Sequence, residues 1–146
     1  MSFNWIVVTI LLVVVGMVSL QEEQSLQLSE YATVDSVSRS FLVYRTAAAN
    51  FAIANPSYAG TAPDSVLSLP SWFSKPPGLA AYIVAGQSYT YFTGNAPMGL
   101  PAALVERTQS IAIGINRTGR LYSPIGGVTE LTIPSPVPEG AIVAFN

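Results

Sequence analysis

The chain of 146 residues contains no cysteine and no histidine. That excludes thiol nucleophiles, disulfide staples, imidazole bases and the commonest sulfur and nitrogen metal ligands. A chain without cysteine also carries no mark of its redox compartment. Charge is nearly as scarce. Charged residues make up 10% of the chain, against about 25% in an ordinary soluble domain. Six basic and eight acidic side chains leave a net charge of -2, so there is no basic footprint for nucleic acid. Lys75 is the single lysine, in the loop sequence Ser74-Lys75-Pro76-Pro77, where it would be solvated and protonated and poorly placed as the base of a Ser-Lys pair. Asp35 and Asp64 are the only aspartates and do not form a recognisable acid dyad. Neither glycine-rich phosphate-binding pattern occurs, and the sequence implies no cofactor.

What is present is apolar character, concentrated at one end. Residues Phe3 to Leu20, FNWIVVTILLVVVGMVSL, carry no charged side chain. A helix of that length rises about 27 Å, close to the roughly 30 Å hydrocarbon core of a bilayer. A helix also satisfies its own backbone groups, as lipid requires. The sequence therefore predicts a transmembrane helix over 3–20, with Trp5 at the headgroup level. A cleaved signal peptide would show a basic n-region and a small-x-small cleavage site, and neither is clear. The short tail before Trp5 and the long portion after the span favour a cytoplasmic N-terminus and an exported C-terminal portion.

Residues 21–55 read as a continuing amphipathic helix. Val34, Val37, Phe41, Tyr44, Ala48 and Phe51 recur at spacings of three and four and fall on one stripe, which Leu28 and Tyr31 extend. The stripe has two readings: it packs on the chain's own sheet, or it forms a seam for another membrane-anchored helix. Asn55-Pro56 ends the helix, because proline lacks the donor and biases its predecessor away from helical geometry.

Residues 56–78 form a Pro/Gly-rich connector, with one short helical turn expected at Asp64-Ser65. Trp72 and Phe73 stand together in Leu69-Pro70-Ser71-Trp72-Phe73, either covering the core or offering an anchor to a partner. Residues 79–146 turn to strand periodicity. A hairpin is expected over 80–93 with its break at Gly86-Gln87, a short helix from Leu100 to Gln109, and an alternating strand Ile111, Ile113, Ile115. Asn116-Arg117-Thr118-Gly119 reads as a turn, Thr129 to Ile133 as an edge strand, and Ala141 to Phe145 as a last strand. Asn116-Arg117-Thr118 also matches a glycosylation sequon. Arg117 and Arg120 flank that turn and either solvate it or bind a partner's carboxylate. The fold class is α+β, with 21–146 as one exported domain.

The anchor, the long helix, Leu69-Pro70-Ser71-Trp72-Phe73, Gly99-Leu100-Pro101 and Gly119-Arg120-Leu121 together resemble, over nearly the full length, the small PilM family. That family is encoded with the thin, type IV pili of conjugative plasmids and related bacterial systems, and is distinct from the actin-like nucleotide-binding protein that shares the name. The resemblance implies a non-enzymatic inner-membrane component of the pilus assembly apparatus or basal body, with its C-terminal domain in the periplasm. Its implied partners are other inner-membrane and periplasmic pilus-assembly proteins, membrane lipid, or further copies in a homo-oligomer. No catalytic motif accompanies the resemblance. The candidate partner-binding residues come from the physical reading: Val34, Val37, Phe41, Tyr44, Phe51, Trp72, Phe73, Arg117 and Arg120. Two other functions remain open at this point. A pilin-like subunit shares the plan of an apolar helix leading to a sheet, although Met1-Ser2-Phe3-Asn4-Trp5 lacks a prepilin leader. A membrane-anchored hydrolase would have to use Lys75 or Asp64.

Overall fold

The computed structural model describes residues 3–146, with the side chains at positions 3, 16 and 18–23 outside the description. One helix, α1 (Phe3–Ala54), opens the chain. By internal contacts the chain divides into two compact units, Met1–Thr33 and Val34–Asn146.

In the first unit the side chains from Trp5 to Val15, together with Met17, Leu26, Leu28 and Tyr31, are exposed wherever large and apolar. Thr9 donates its hydroxyl to the Trp5 carbonyl, 2.8 Å away, so its polar group is satisfied within the helix. Among the described residues no helix is long and apolar enough to cross a membrane. The span expected over 3–20 crosses positions 3, 16 and 18–20, which lie outside the side-chain description, and the uninterrupted described run, 4–15, falls short of the roughly 20 residues a span requires.

The second unit is an α+β layer. The end of α1 is set by Asn55, whose backbone and side-chain nitrogens both donate to the Phe51 carbonyl, at 2.9 and 3.0 Å, before Pro56 stops the helix. Seven strands follow: β1 (Gly60–Thr61), β2 (Leu79–Val84), β3 (Gln87–Phe92), β4 (Ile113–Arg117), β5 (Arg120–Ser123), β6 (Gly127–Thr132) and β7 (Ile142–Phe145). A 3₁₀ turn at Asp64–Val66 lies between β1 and β2, and helix α2 (Leu100–Thr108) joins β3 to β4. The strands form one sheet in the order β1-β2-β3-β7-β4-β5-β6, every described pair antiparallel. Because β7 is antiparallel to both β3 and β4, those two run parallel to each other, and a β-α-β crossover through α2 leaves a slot between them. The last strand of the chain fills it.

Alternation along the strands creates two apolar layers. On one face Ala81 and Ile83 of β2, Phe92 of β3, Ile113 of β4, and Ile142 and Ala144 of β7 meet Phe41, Tyr44, Ala48 and Ala52 of α1 and Leu100, Leu104 and Val105 of α2. On the other, Tyr89, Tyr91, Leu121 and Val143 are covered by Ile133, Val137 and Ala141 from the proline-rich segment before β7. That segment is therefore a lid on the second face as well as a link.

Several expected boundaries shift. The β2–β3 turn is Ala85-Gly86, both with positive φ, one residue earlier than expected. Strand β4 begins at Ile113 because Ile111 is turned out to solvent, 61% exposed. Asn116 and Arg117 belong to the strand, and the turn contracts to Thr118-Gly119, at φ 52° and 74°. Positive φ at both central residues is the geometry whose twist suits a two-residue hairpin. Strand β6 starts at Gly127 and lies at the sheet edge, whereas β1 was not foreseen at all.

Candidate partner-binding surfaces

The stripe on α1 is largely consumed by the chain's own core. Phe41 and Tyr44 are fully buried, and Val37 and Phe51 are half-buried against the same cluster. Val34 is half-buried, while Leu28 and Tyr31 above it are exposed. Phe51 meets Tyr58 edge to face at 5.1 Å between ring centres. Phe41 and Tyr44 thus cannot meet a partner without unfolding the layer, which corrects their place among the surface candidates.

The Tyr44 hydroxyl reaches into the connector, where it donates to Asp64 Oδ1 at 2.8 Å. Lys75 Nζ donates to both oxygens of the same carboxylate, at 2.8 and 2.9 Å, and sits 5.2 Å from the Tyr44 ring centre. Phe73 stacks on Tyr44 from the same segment, ring centres 6.3 Å apart. Partial burial works to raise the Asp64 carboxyl, but the hydrogen bonds from Lys75 and Tyr44 outweigh it and hold the group below the ordinary carboxylate range. Burial first, and then the hydrogen bond and charge of Asp64, push the Tyr44 phenol well above its usual value. Lys75 and Asp64, the two residues a hydrolase would have used, therefore pin the connector to α1.

Trp72 and Phe73 divide the two roles considered for them. Phe73 packs against the core, whereas Trp72 is 73% exposed. Of the other charged groups, Arg39 and Arg107 both pair with Asp35, and the second of these ties the last turn of α2 to α1. Arg45 donates to the Phe145 carbonyl at 2.9 Å and to Asn146 Oδ1 at 3.4 Å, and burial lowers its pKa. Sequence reasoning passed over Arg45, and the signal was available: a cation between Tyr44 and Ala48 on a buried stripe must find an acceptor.

At the β4–β5 hairpin, Arg117 and Arg120 are direct cross-strand partners. Arg117 lies over the Tyr122 ring, 4.7 Å from its centre. The sequon reading of Asn116 fails on geometry: the side chain is buried and its amide donates to the Val137 and Pro138 carbonyls at 3.1 and 3.0 Å. An open cleft of about 550 Å³ lies between the 93–99 loop and residues 138–142. Its one charged lining residue, Glu139, already accepts from the Thr118 amide. Among the described residues no cluster of acidic side chains could hold a metal ion.

Comparison with known proteins agrees with this architecture. The PilM family model matches residues 9–145. A crystal structure described as a pilM protein from Pseudomonas aeruginosa 2192 is 42% identical, covers 77% of this chain and 94% of its own, and superposes with a TM-score of 0.50. A second, described as PilM from Escherichia coli B7A, shares the fold at 21% identity and a TM-score of 0.59, over 80% of this chain and 93% of its own. No curated protein matches the chain. With a family match that spans nearly every element from α1 to β7 and a relative at this identity over more than two thirds of the chain, the protein belongs to the PilM family.

Proposed function

We propose that the chain is a non-enzymatic component of a type IV (thin) pilus assembly apparatus or basal body, serving conjugation, and that it scaffolds other pilus proteins from the bacterial inner membrane. The observation that carries this reading is the family match over residues 9–145, with the names of its structural relatives. Anchoring rests on the uncharged run 3–20, which is long enough for a bilayer in sequence terms. The N-terminus stays in the cytoplasm and the α+β unit acts in the periplasm. A scaffolding role is supported by the engagement of the polar side chains: Asp64 and Lys75 hold each other and Tyr44, and Arg45 holds the end of β7.

The test is deletion and complementation in cells that make the pilus. Loss of surface pili on deletion, restored by the full chain and not by a chain with Val8→Lys and Val13→Lys in the apolar run, is the expected outcome. Normal piliation in the deletion strain would sink the proposal. A minor pilin is the second reading, favoured by the apolar helix leading into a sheet. It requires the chain to be found in the filament.

A further inference from the structure

Four of the six cations in the chain have evident employment. Arg39 and Arg107 share Asp35, Lys75 holds Asp64, and Arg45 caps the end of β7. Arg117 and Arg120 are the remaining two, and among the described residues neither forms an ion pair. The fold nevertheless places them directly opposite each other on β4 and β5, an arrangement in which like charges repel. Stacking on Tyr122 fixes the Arg117 guanidinium while leaving its N–H donors free. Glu139 is occupied by the Thr118 amide on the turn itself. Glu130 stands on the same face of β6 between Val128 and Thr132, the register partners of Tyr122 and Arg120, and forms no ion pair with either arginine among the described residues.

The same face continues as an apolar strip. Tyr122 is the register partner of Ile115 on one side and of Val128 on the other, so the three side chains lie abreast. Tyr122 is 38% and Val128 64% exposed, left open by the two helices that cover Ile113 on the same face. Strand β6, which carries Val128, is an outer strand of the sheet with an unpaired edge.

We propose that this face binds an extended acidic segment of a partner protein, with a carboxylate clamped between Arg117 and Arg120 and neighbouring apolar side chains laid across Tyr122 and Val128. The choice of occupant follows from local charge: two arginines held opposite each other, neither in an ion pair among the described residues and with one carboxylate, Glu130, on the adjoining strand of the same face, select a carboxylate over a neutral or basic surface. A second copy of this face would bring four arginines together and is disfavoured for the same reason. The inference rests on the scaffold reading and supplies one surface through which the scaffold holds another component.

The experiment places a photoactivatable phenylalanine analogue at Val128 of the full chain in pilus-making cells, with the same label at the exposed Ser57 as a control, and identifies adducts by peptide mass spectrometry. The expected result is an adduct to a segment of another protein carrying Asp or Glu within a few residues of the linked position. Its yield should fall about tenfold in Arg117→Glu/Arg120→Glu, the equivalent of one strong charge-assisted contact, and much less in Arg117→Lys/Arg120→Lys. Circular dichroism of the purified variants checks that these exposed substitutions leave the fold intact. An adduct to a second copy, to lipid or to a neutral segment would overturn the proposal, as would a yield indifferent to charge reversal or no adduct at all. Because the pilus reading is tested separately by deletion, an acidic partner from outside the pilus apparatus would support this surface and count against that reading.

Discussion

Asp64 is the residue on which the connector depends. Its carboxylate accepts from Tyr44 of α1 and from Lys75 at the far end of the same loop, so one side chain joins three segments. The Lys75–Asp64 pair is partly exposed, at 33% and 45% of the side chains, and on its own is worth less than about 1 kcal/mol. The neutral variant Asp64→Asn is predicted to lower stability by about 1 kcal/mol near neutral pH, a shift of a few degrees in thermal unfolding. The folded carboxyl lies below its ordinary value of 3.8, so its contribution is present above that value and is lost as pH falls through the lower folded one. The gap between parent and variant should therefore close in melts taken from neutral pH downward as pH falls through the lowered folded value, and a gap that widens there would contradict the pairing. Gly114 is the stricter residue. A Cβ on it would fall 2.1 Å from the Tyr122 carbonyl oxygen, a backbone atom that cannot swing aside. Gly114→Ala is predicted to cost about 2–4 kcal/mol, measured by urea denaturation, as strands β4 and β5 are forced apart.

At the scale of elements, β7 carries more than its four residues suggest. It is paired on both sides, with β3 and β4, and is the only described connection between the two halves of the sheet. Its Ile142, Val143 and Ala144 are buried on both faces of the sheet. Arg45 fixes its end to α1 through the Phe145 carbonyl. Removing residues 142–146 is predicted to abolish the cooperative thermal transition, whereas Arg45→Met, which keeps the stem and loses the donor, should lower stability by only about 1.5 kcal/mol. A truncated chain that still melted in one sharp transition would show that the sheet holds without its central strand.

The placement of β7 also marks where reading the sequence stops. The helices were legible because their signals are local: the three-four spacing from Val34 to Phe51 with Asn55-Pro56 after it, and Pro101 in the first turn of α2 followed by Leu104 and Val105. The two tight hairpins were legible from their turn residues to within a few positions. Strand order was not, since nothing local in Ala141-Ile142-Val143-Ala144-Phe145 says that it enters between β3 and β4. Its unbroken apolar run did contain the hint that both its faces are covered. The candidate surfaces were legible only in part. Periodicity identified the stripe on α1 but could not choose between a core and a partner, and Phe41 and Tyr44 proved to be core. The opposition of Arg117 and Arg120 depended on a two-residue turn in place of the four expected, which positive φ at Thr118 makes possible. Asp64 and Lys75, eleven residues apart in a proline-rich stretch, carry no sequence sign of meeting.

For the whole molecule, the proposed division of labour is between an N-terminal run that holds to the membrane and an α+β unit that meets other proteins. The run 3–20 has no charged side chain, and the second unit contains the buried cluster, the latched connector and the open Arg117–Arg120 face. The most direct measurement is intact-mass and peptide mass spectrometry of two fractions from the same pilus-making cells: sheared, purified pili, and inner membranes washed with alkaline carbonate. A membrane-held assembly scaffold predicts the chain in the washed membranes with its apolar N-terminal run uncleaved, and no stoichiometric amount in the filaments. A processed form incorporated in the pili, or release of the chain from the membranes by carbonate, would contradict it.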